Sequence, residues 1–416
     1  MRRMLAVAAT AVTMVSLSGS VVTAQDASPG AGGWDPSAIT GPVRLSGWQS
    51  STAEGNALTQ TLLGFQATYP NIPVSYEPLS GDYTVAMAAS FAAGDVPDLF
   101  YVDASYAQQW IDQGFLYPID DYLAQSGFDT STFFPAGLDV FTGKDGKHYG
   151  LPKDFNTIAM AYNTDLVTTP PTTMDELVAA ATALVGTGSL QAPMCLNPGL
   201  DRGLAFLYAQ GGSLLNADGT ASAIADDASA AAVQWYMDLF KDGLAKTASD
   251  MGDGWCGEAL GKGDAAIVFE GGWLDPYMVS TYPDTKYAWA PLPVGSSGEP
   301  VTISYTVSYS IGADSVNKDQ AFVLLSYLTG VEGMTKWTQG GVALPSRSDV
   351  PVPAGKEVLS SVAQYARPGS GFMPGYDAVQ KAFQDAFVNE LQNATFDGAA
   401  VVSATDAAIG QALAGN

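Results

Sequence analysis

One histidine and two cysteines in 416 residues narrow the chemistry before any motif is read. His148 alone cannot build a histidine cluster, and the cysteines show no CxxC spacing, which argues against a metal site. A Ser–His–Asp hydrolase would have to recruit that same His148, which stands in a GKHYG turn and reads as an exposed hairpin residue. GxSxG, HExxH and Walker-type loops are missing too. Basic residues are scarce, 17 Lys and Arg against 42 Asp and Glu, for a net charge of −25. Such a chain repels nucleic acid and anionic lipid at long range, and disfavours anionic ligands unless a local basic pocket overrules it. Beyond the N-terminus no run of 18 apolar residues occurs, so the mature chain is expected not to span a membrane.

What is present points outward. Met1-Arg2-Arg3 and the apolar stretch 4–17 are followed by the small residues Val22-Thr23-Ala24, so residues 1–24 read as a secretory signal. Neither cysteine lies at the cleavage site, which argues against a lipid anchor. Residues 25–40, rich in Ala, Ser, Pro and Gly, are expected to be a flexible leader. Losing Arg2 and Arg3 with the signal leaves 15 basic residues against 42 acidic ones, a charge of −27. Export implies an oxidising compartment, where Cys195 and Cys256 are expected to be joined rather than left as free thiols. The length exceeds one compact core, and 47% apolar residues can fill two.

Taken in order, residues 43–48 read as a strand and 54–65 as a helix with Leu58, Leu62 and Phe65 on one face. Strands at 72–76 and 97–102 and helices at 83–93 and 105–113 continue a β-α-β-α alternation. That pattern predicts a parallel sheet covered by helices. Later, Thr173 is a plausible cap for a helix beginning PTTMDEL. Asn216 and Asp218 lie in a turn-rich hairpin whose acidic series is too short for a calcium loop.

Residues 143–166, GKDGKHYGLPKDFNTIAMAYNTDL, form the pivot. Asp145-Gly146 supplies a tight turn, and the apolar run 158–162 is short enough for a buried strand. Between them Asp154, Phe155 and Asn156 combine polar and aromatic side chains. This GK.YGLP.D......YN.D pattern, with the PDLFYVD and GFLYPIDDYL segments before it, resembles the extracellular solute-binding proteins of ABC sugar importers, the family that includes maltose-binding proteins. The resemblance runs over roughly residues 41–414.

It implies an α/β, two-lobed periplasmic-binding-protein fold of type II, with 41–153 plus 303–345 in one lobe and 154–302 plus 346–416 in the other. By match of position it places Trp48, Ser51, Glu54 and Asp103 at the ligand, and a hydroxyl-binding carboxylate at Asp154. Open α/β sheets bind ligands at the carboxyl ends of strands, which agrees. In GKGDAAIVFEGGWLDPYM the Gly271-Gly272 pair would let backbone approach a ligand, and Trp273 stands where the family stacks an aromatic on a sugar ring. Trp255, close upstream, is a further candidate plate. Tyr305 is expected on a second crossing strand. Arg367 and Tyr376, in YARPGSGFMPGYDAV, stand where related sugar binders use an Arg and an aromatic.

A sugar presents hydroxyls in many directions and apolar C–H faces, so aromatic plates with charged or amide hydrogen-bonding groups suit it. Trp48, Phe155, Trp255, Trp273, Tyr305 and Tyr376 supply plates. Glu54, Asp103, Asp154 and Arg367 supply charge-assisted hydrogen bonds. The expectation is a monomeric binder of a neutral mono- or oligosaccharide, outside the cytoplasmic membrane, that closes its lobes on the ligand and hands it to an ABC permease. No cofactor, metal or nucleic acid is expected. A polyamine, peptide or metal chelate as ligand, or a secreted glycosidase using two carboxylates, are the alternatives.

Overall fold

The computed structural model describes residues 33–49, 52–79, 83–341 and 343–415. The expected signal, 1–24, and Ser51 lie outside them. Two sheets, each with its own hydrophobic core, carry the architecture.

The first begins as the alternation predicts. β1 (Val43–Gly47) leads to helix α1 (Thr52–Thr68), β2 (Val74–Pro78), α2 (Tyr83–Ala93), β3 (Leu99–Asp103) and α3 (Ala104–Asp112). β1 pairs in parallel with both β2 and β3. Leu45, Phe65, Tyr101 and Phe322 are fully buried between sheet and helices. Burying each such side chain is worth about 1.5–3 kcal/mol.

The chain then leaves this sheet along β4 (Leu151–Thr157) and enters β5 (Ala159–Asn163), an inner strand of the second sheet next to its edge. That sheet adds β6 (Ala192–Cys195), β7 (Ala245–Lys246), β8 (Ala265–Glu270) and β9 (Tyr287–Ala290), in the order β7-β6-β8-β5-β9. Met160, Leu204, Phe206 and Phe387 form part of its core. Cys195 at the end of β6 is bonded to Cys256, 61 residues on, at the start of the helix Cys256–Lys262. Thr173 caps the helix Met174–Leu184, its hydroxyl accepting from the Glu176 amide at 3.2 Å.

Two further segments return between the sheets. β10 (Thr302–Ile311) runs antiparallel to β4 from Tyr309↔Leu151 to Ser304↔Thr157, and its far half pairs with β3. Leu344 bridges to Phe155, and β11 (Ala366–Pro368) lies parallel to the start of β10. Ile303 and Tyr309, on the same strand, belong to different cores.

The end of the expected leader departs from that reading. Trp34 packs edge-on against Tyr122 and Phe322, and Gln320 donates to the Thr40 carbonyl. From Trp34 onward the segment is therefore part of the first lobe, because a large ring finds apolar surface there.

Candidate functional site

The β4–β10 ladder sets which side chains can face the gap between the lobes. Tyr305 is opposite Asn156, Val307 opposite Asp154 and Thr306 opposite Phe155. Successive residues of a strand point to opposite faces, so Asp154 and Phe155 cannot share one. Asn156 and Tyr305 lie half-buried on one face, whereas Phe155 is fully buried on the other against Ala136, Ala363 and Phe134. Phe155 is thus a core residue at the crossing and not an accessible plate. Asn156, passed over as a site residue, takes the exposed side; the period of two from Asp154 is the signal that could have found it.

The register shifts beside Asp154: Val307 faces Asp154, and Ser308 faces Pro152. Lys153 is the extra residue of this bulge, a device that re-aims side chains. Its ammonium reaches Asp154 Oδ2 at 2.7 Å and lies 3.8 Å from Glu54 Oε1. It also sits over the rings of Trp337, at 3.9 Å, and Tyr101, at 4.8 Å. Trp337 Nε1 donates to Asp154 Oδ2 at 3.3 Å. Asp154, Glu54 and Lys153 are all nearly buried. Two of the expected ligand carboxylates therefore first neutralise a buried lysine, as a charge removed from water requires.

Asp103 ends β3 and caps α3, accepting from the Ser105 amide and hydroxyl at 2.9 and 2.7 Å. Burial pushes its carboxyl above the usual range, partly offset by those two bonds. Trp48 is half-buried, edge-on to Tyr83 and Tyr101 at 5.0 and 5.2 Å.

The second lobe contributes one connected cluster. Glu270, the last residue of β8, accepts from Trp273 Nε1 at 2.9 Å and from Arg202 Nη2 at 2.8 Å. The Arg202 guanidinium lies 5.1 Å from the Trp273 ring centre, and its Nη1 reaches the Tyr305 hydroxyl at 3.3 Å. Tyr305 also donates to the Asp201 carbonyl, and its ring meets Trp273 edge-on at 6.0 Å. Burial works against a charged Arg202, yet Glu270, Tyr305 and Asp201 together hold its pKa above the ordinary value. Burial likewise raises the carboxyl of Asp201, with Arg202 opposing.

Two polar atoms here are buried without a hydrogen-bond partner, Arg202 Nε and Asn156 Oδ1. One is a donor, the other an acceptor, and both adjoin Tyr305. Asp201, Arg202 and Glu270 were missed by sequence reasoning; the scarcity of basic residues makes Arg202 the one with a legible signal.

Other expectations separate. Gly271 makes room for Trp273 itself: a Cβ there would lie 2.4 Å from the indole ring. The Gly272 carbonyl is taken by Lys356 Nζ at 2.7 Å, and the same ammonium pairs with Asp275. The pair thus serves local packing rather than offering open backbone. Trp255 packs on Gly257 and edge-on to Tyr277 at 4.8 Å, with the disulfide cluster. That cluster holds Ala161 and Val268, whereas Met160 and Phe269 belong to the core beside Trp273, so Trp255 and Trp273 lie on opposite faces of the sheet. Tyr376 is buried, its hydroxyl donating to the Gly369 carbonyl at 2.8 Å. Arg367 stays exposed and stacks on Tyr208 at 3.5 Å. Among the described residues, no group of three His, Cys, Asp or Glu is placed to hold a metal.

The lobes touch where the loop after β11 meets α3: a Cβ on Gly371 would fall 1.8 Å from the Ala104 carbonyl oxygen.

Comparison with known proteins accords with this architecture. The sequence model described as bacterial extracellular solute-binding protein matches residues 48–335, well over half of the chain. A putative binding protein of Brucella abortus is 26% identical over 324 residues, covering 74% of this chain and 77% of the relative. The maltotriose-binding protein of Pyrococcus abyssi is 32% identical over 113 residues, 27% of this chain and 24% of its own. The solved structure of the sugar-binding protein MalE from Xanthomonas citri superposes with a TM-score of 0.78 at 20% identity, covering 90% of this chain and 98% of that one.

Proposed function

We propose, from the premise that this chain belongs to the family of bacterial extracellular solute-binding proteins, that it binds a neutral oligosaccharide between its lobes and presents it to an ABC permease. One observation carries the reading. Arg202 Nε and Asn156 Oδ1 are a buried donor and a buried acceptor without partners, flanking the half-buried rings of Trp273 and Tyr305. Leaving such groups unmade costs about 1–3 kcal/mol each, a cost that ligand hydroxyls reaching them would remove. Aromatic faces beside paired hydrogen-bonding groups match a sugar's C–H faces and hydroxyls. Support comes also from relatives named as maltotriose-binding and sugar-binding proteins.

In this reading Asn156, Arg202, Trp273 and Tyr305 touch the ligand. Glu270 orients Arg202 and Trp273, and Asp103 and the Lys153–Asp154 pair border the first-lobe side. Binding draws the lobes together around the three crossing segments, and the closed surface is what the permease reads outside the cytoplasmic membrane. The ligand leaves unchanged: the carboxylates of this set are held by Lys153, Arg202, Trp273 and Ser105 rather than flanking a bond to be cut.

Titration calorimetry with a panel of neutral saccharides tests this. Maltose and maltotriose are expected to bind and to be recovered intact. A panel without any response, alongside binding of a polyamine or a peptide, would replace the sugar reading, and recovery of cleaved sugar would replace binding with catalysis.

A further inference from the structure

The last segment to pass from the first lobe to the second ends on a buried cation. Val350 still belongs to the core of the first lobe, and six residues later Lys356 is buried with its ammonium in the second. The link between them, Pro351-Val352-Pro353-Ala354-Gly355, carries two prolines whose rings fix φ, so it is short and stiff. Lys356 precedes the short helix Glu357–Ser361, and the Leu359 carbonyl of that helix accepts from the Thr157 hydroxyl, at the end of β4, at 2.6 Å.

An ammonium carries three N–H donors and no acceptor. Lys356 Nζ gives one to the Gly272 carbonyl at 2.7 Å and another to Asp275 Oδ2. Asp275 in turn accepts at Oδ1 from the Tyr287 hydroxyl at 2.6 Å and from Trp289 Nε1 at 2.8 Å. Gly272 stands directly before Trp273 and Asp275 two residues after it, so one ammonium brackets that residue along the backbone. The indole is held separately, by the bond from its Nε1 to Glu270 and by the space that Gly271 leaves for the ring. Burying a lysine is unfavourable unless its charge is matched, and packing alone would be served by an apolar side chain of similar volume. What the ammonium adds is two charge-assisted bonds to the turn that carries Trp273.

We propose that Lys356 is a positioning residue for Trp273: its bonds fix the Gly272–Trp273 peptide and the first turn of the helix Leu274–Thr281, and so set the direction of the indole. The assignment rests on the reading above, in which Trp273 touches the saccharide, and adds that this ring is anchored to the third crossing segment as well as to β8.

Fluorine NMR of protein labelled with 5-fluorotryptophan tests it without any ligand. The line missing from Trp273→Phe identifies that residue, and Lys356→Met should shift or broaden it while the lines of Trp110 and Trp235 stay in place. Because Lys356→Met leaves Asp275 with an unmatched charge, the double variant Lys356→Met/Asp275→Asn is measured too, and the Trp273 line should move there as well. Calorimetry with maltotriose supplies the second readout. Lys356→Met should weaken binding about tenfold, since a ring no longer held in place must be ordered by the ligand. In a Trp273→Ala background the same change should cost nothing further, because the group it positions is gone. A merely structural role would leave the Trp273 line unmoved and let the two costs add, and either result would overturn the proposal. If maltotriose does not bind the parent, the sugar reading falls, and the fluorine line still decides whether Lys356 positions Trp273.

Discussion

Gly371 of the second lobe and Ala104 of the first meet so closely that no side chain fits between them: a Cβ on Gly371 would lie 1.8 Å from the Ala104 carbonyl oxygen. Gly371 also has a φ of +72°, a region that only glycine occupies freely. The contact is between bodies, not within one, so the clash has a specific consequence. Gly371→Ala should hold the lobes apart, lowering ligand affinity at least about tenfold because closure no longer contributes. Small-angle scattering should find the same radius of gyration with and without saturating sugar. Normal contraction on binding would show that the contact is not needed for closure.

Asn156 and Trp273 should fail differently. Asn156→Ala removes a buried acceptor that has no partner in the ligand-free protein, so affinity should fall by about 1 kcal/mol while the melting temperature holds or rises. Trp273→Ala removes a plate and the donor to Glu270, so it should cost about 2–3 kcal/mol of binding and some stability as well. Calorimetry beside melts of the ligand-free variants separates them. A large fall in melting temperature for Asn156→Ala would mean that its side chain is already satisfied.

Asp154→Asn is expected to weaken the protein before it weakens the site. Among the described residues it leaves the nearly buried Lys153 with only Glu54, at 3.8 Å, to balance its charge. Removing one partner of a buried pair costs about 3–5 kcal/mol, and Glu54 should hold the loss to the lower end. Urea unfolding of the ligand-free variant measures it. Unchanged stability with lost affinity would return Asp154 to the role of direct ligand contact.

Asp103 supplies a test by pH. Burial raises its carboxyl pKa in the folded protein, so the folded state binds that proton more tightly than the unfolded chain does. Ionisation then opposes folding, and this contribution to stability is lost as pH rises through the folded pKa. Asp103→Asn keeps a capping side chain and removes the charge. The variant should be more stable than the parent at neutral pH, with the difference shrinking on acidification toward the carboxylate range. A difference that grows on acidification would show that the capping charge stabilises instead.

The alternation of strands and helices, the buried strand after the GKDGKHYG turn and the pairing of the two cysteines were all legible in the chain. Each depends on local periodicity, turn chemistry or the count of thiols. Trp273 and Tyr305 became site candidates through the resemblance to sugar-binding solute-binding proteins, by their place after or on a recognisable strand.

What only the tertiary structure decided was which side of each strand faces the gap. One residue of phase separates Asn156 from Phe155, and composition carries no phase until β4 finds its partner in β10. The bulge at Lys153 is likewise a property of that pairing, and it turned two candidate ligand carboxylates into partners of a buried ammonium. Trp255 and Trp273 lie 18 residues apart in the chain yet on opposite faces of one sheet. Arg202 and Glu270 are brought together from sequence positions 68 apart, because burying a guanidinium demands a carboxylate wherever the fold can bring one.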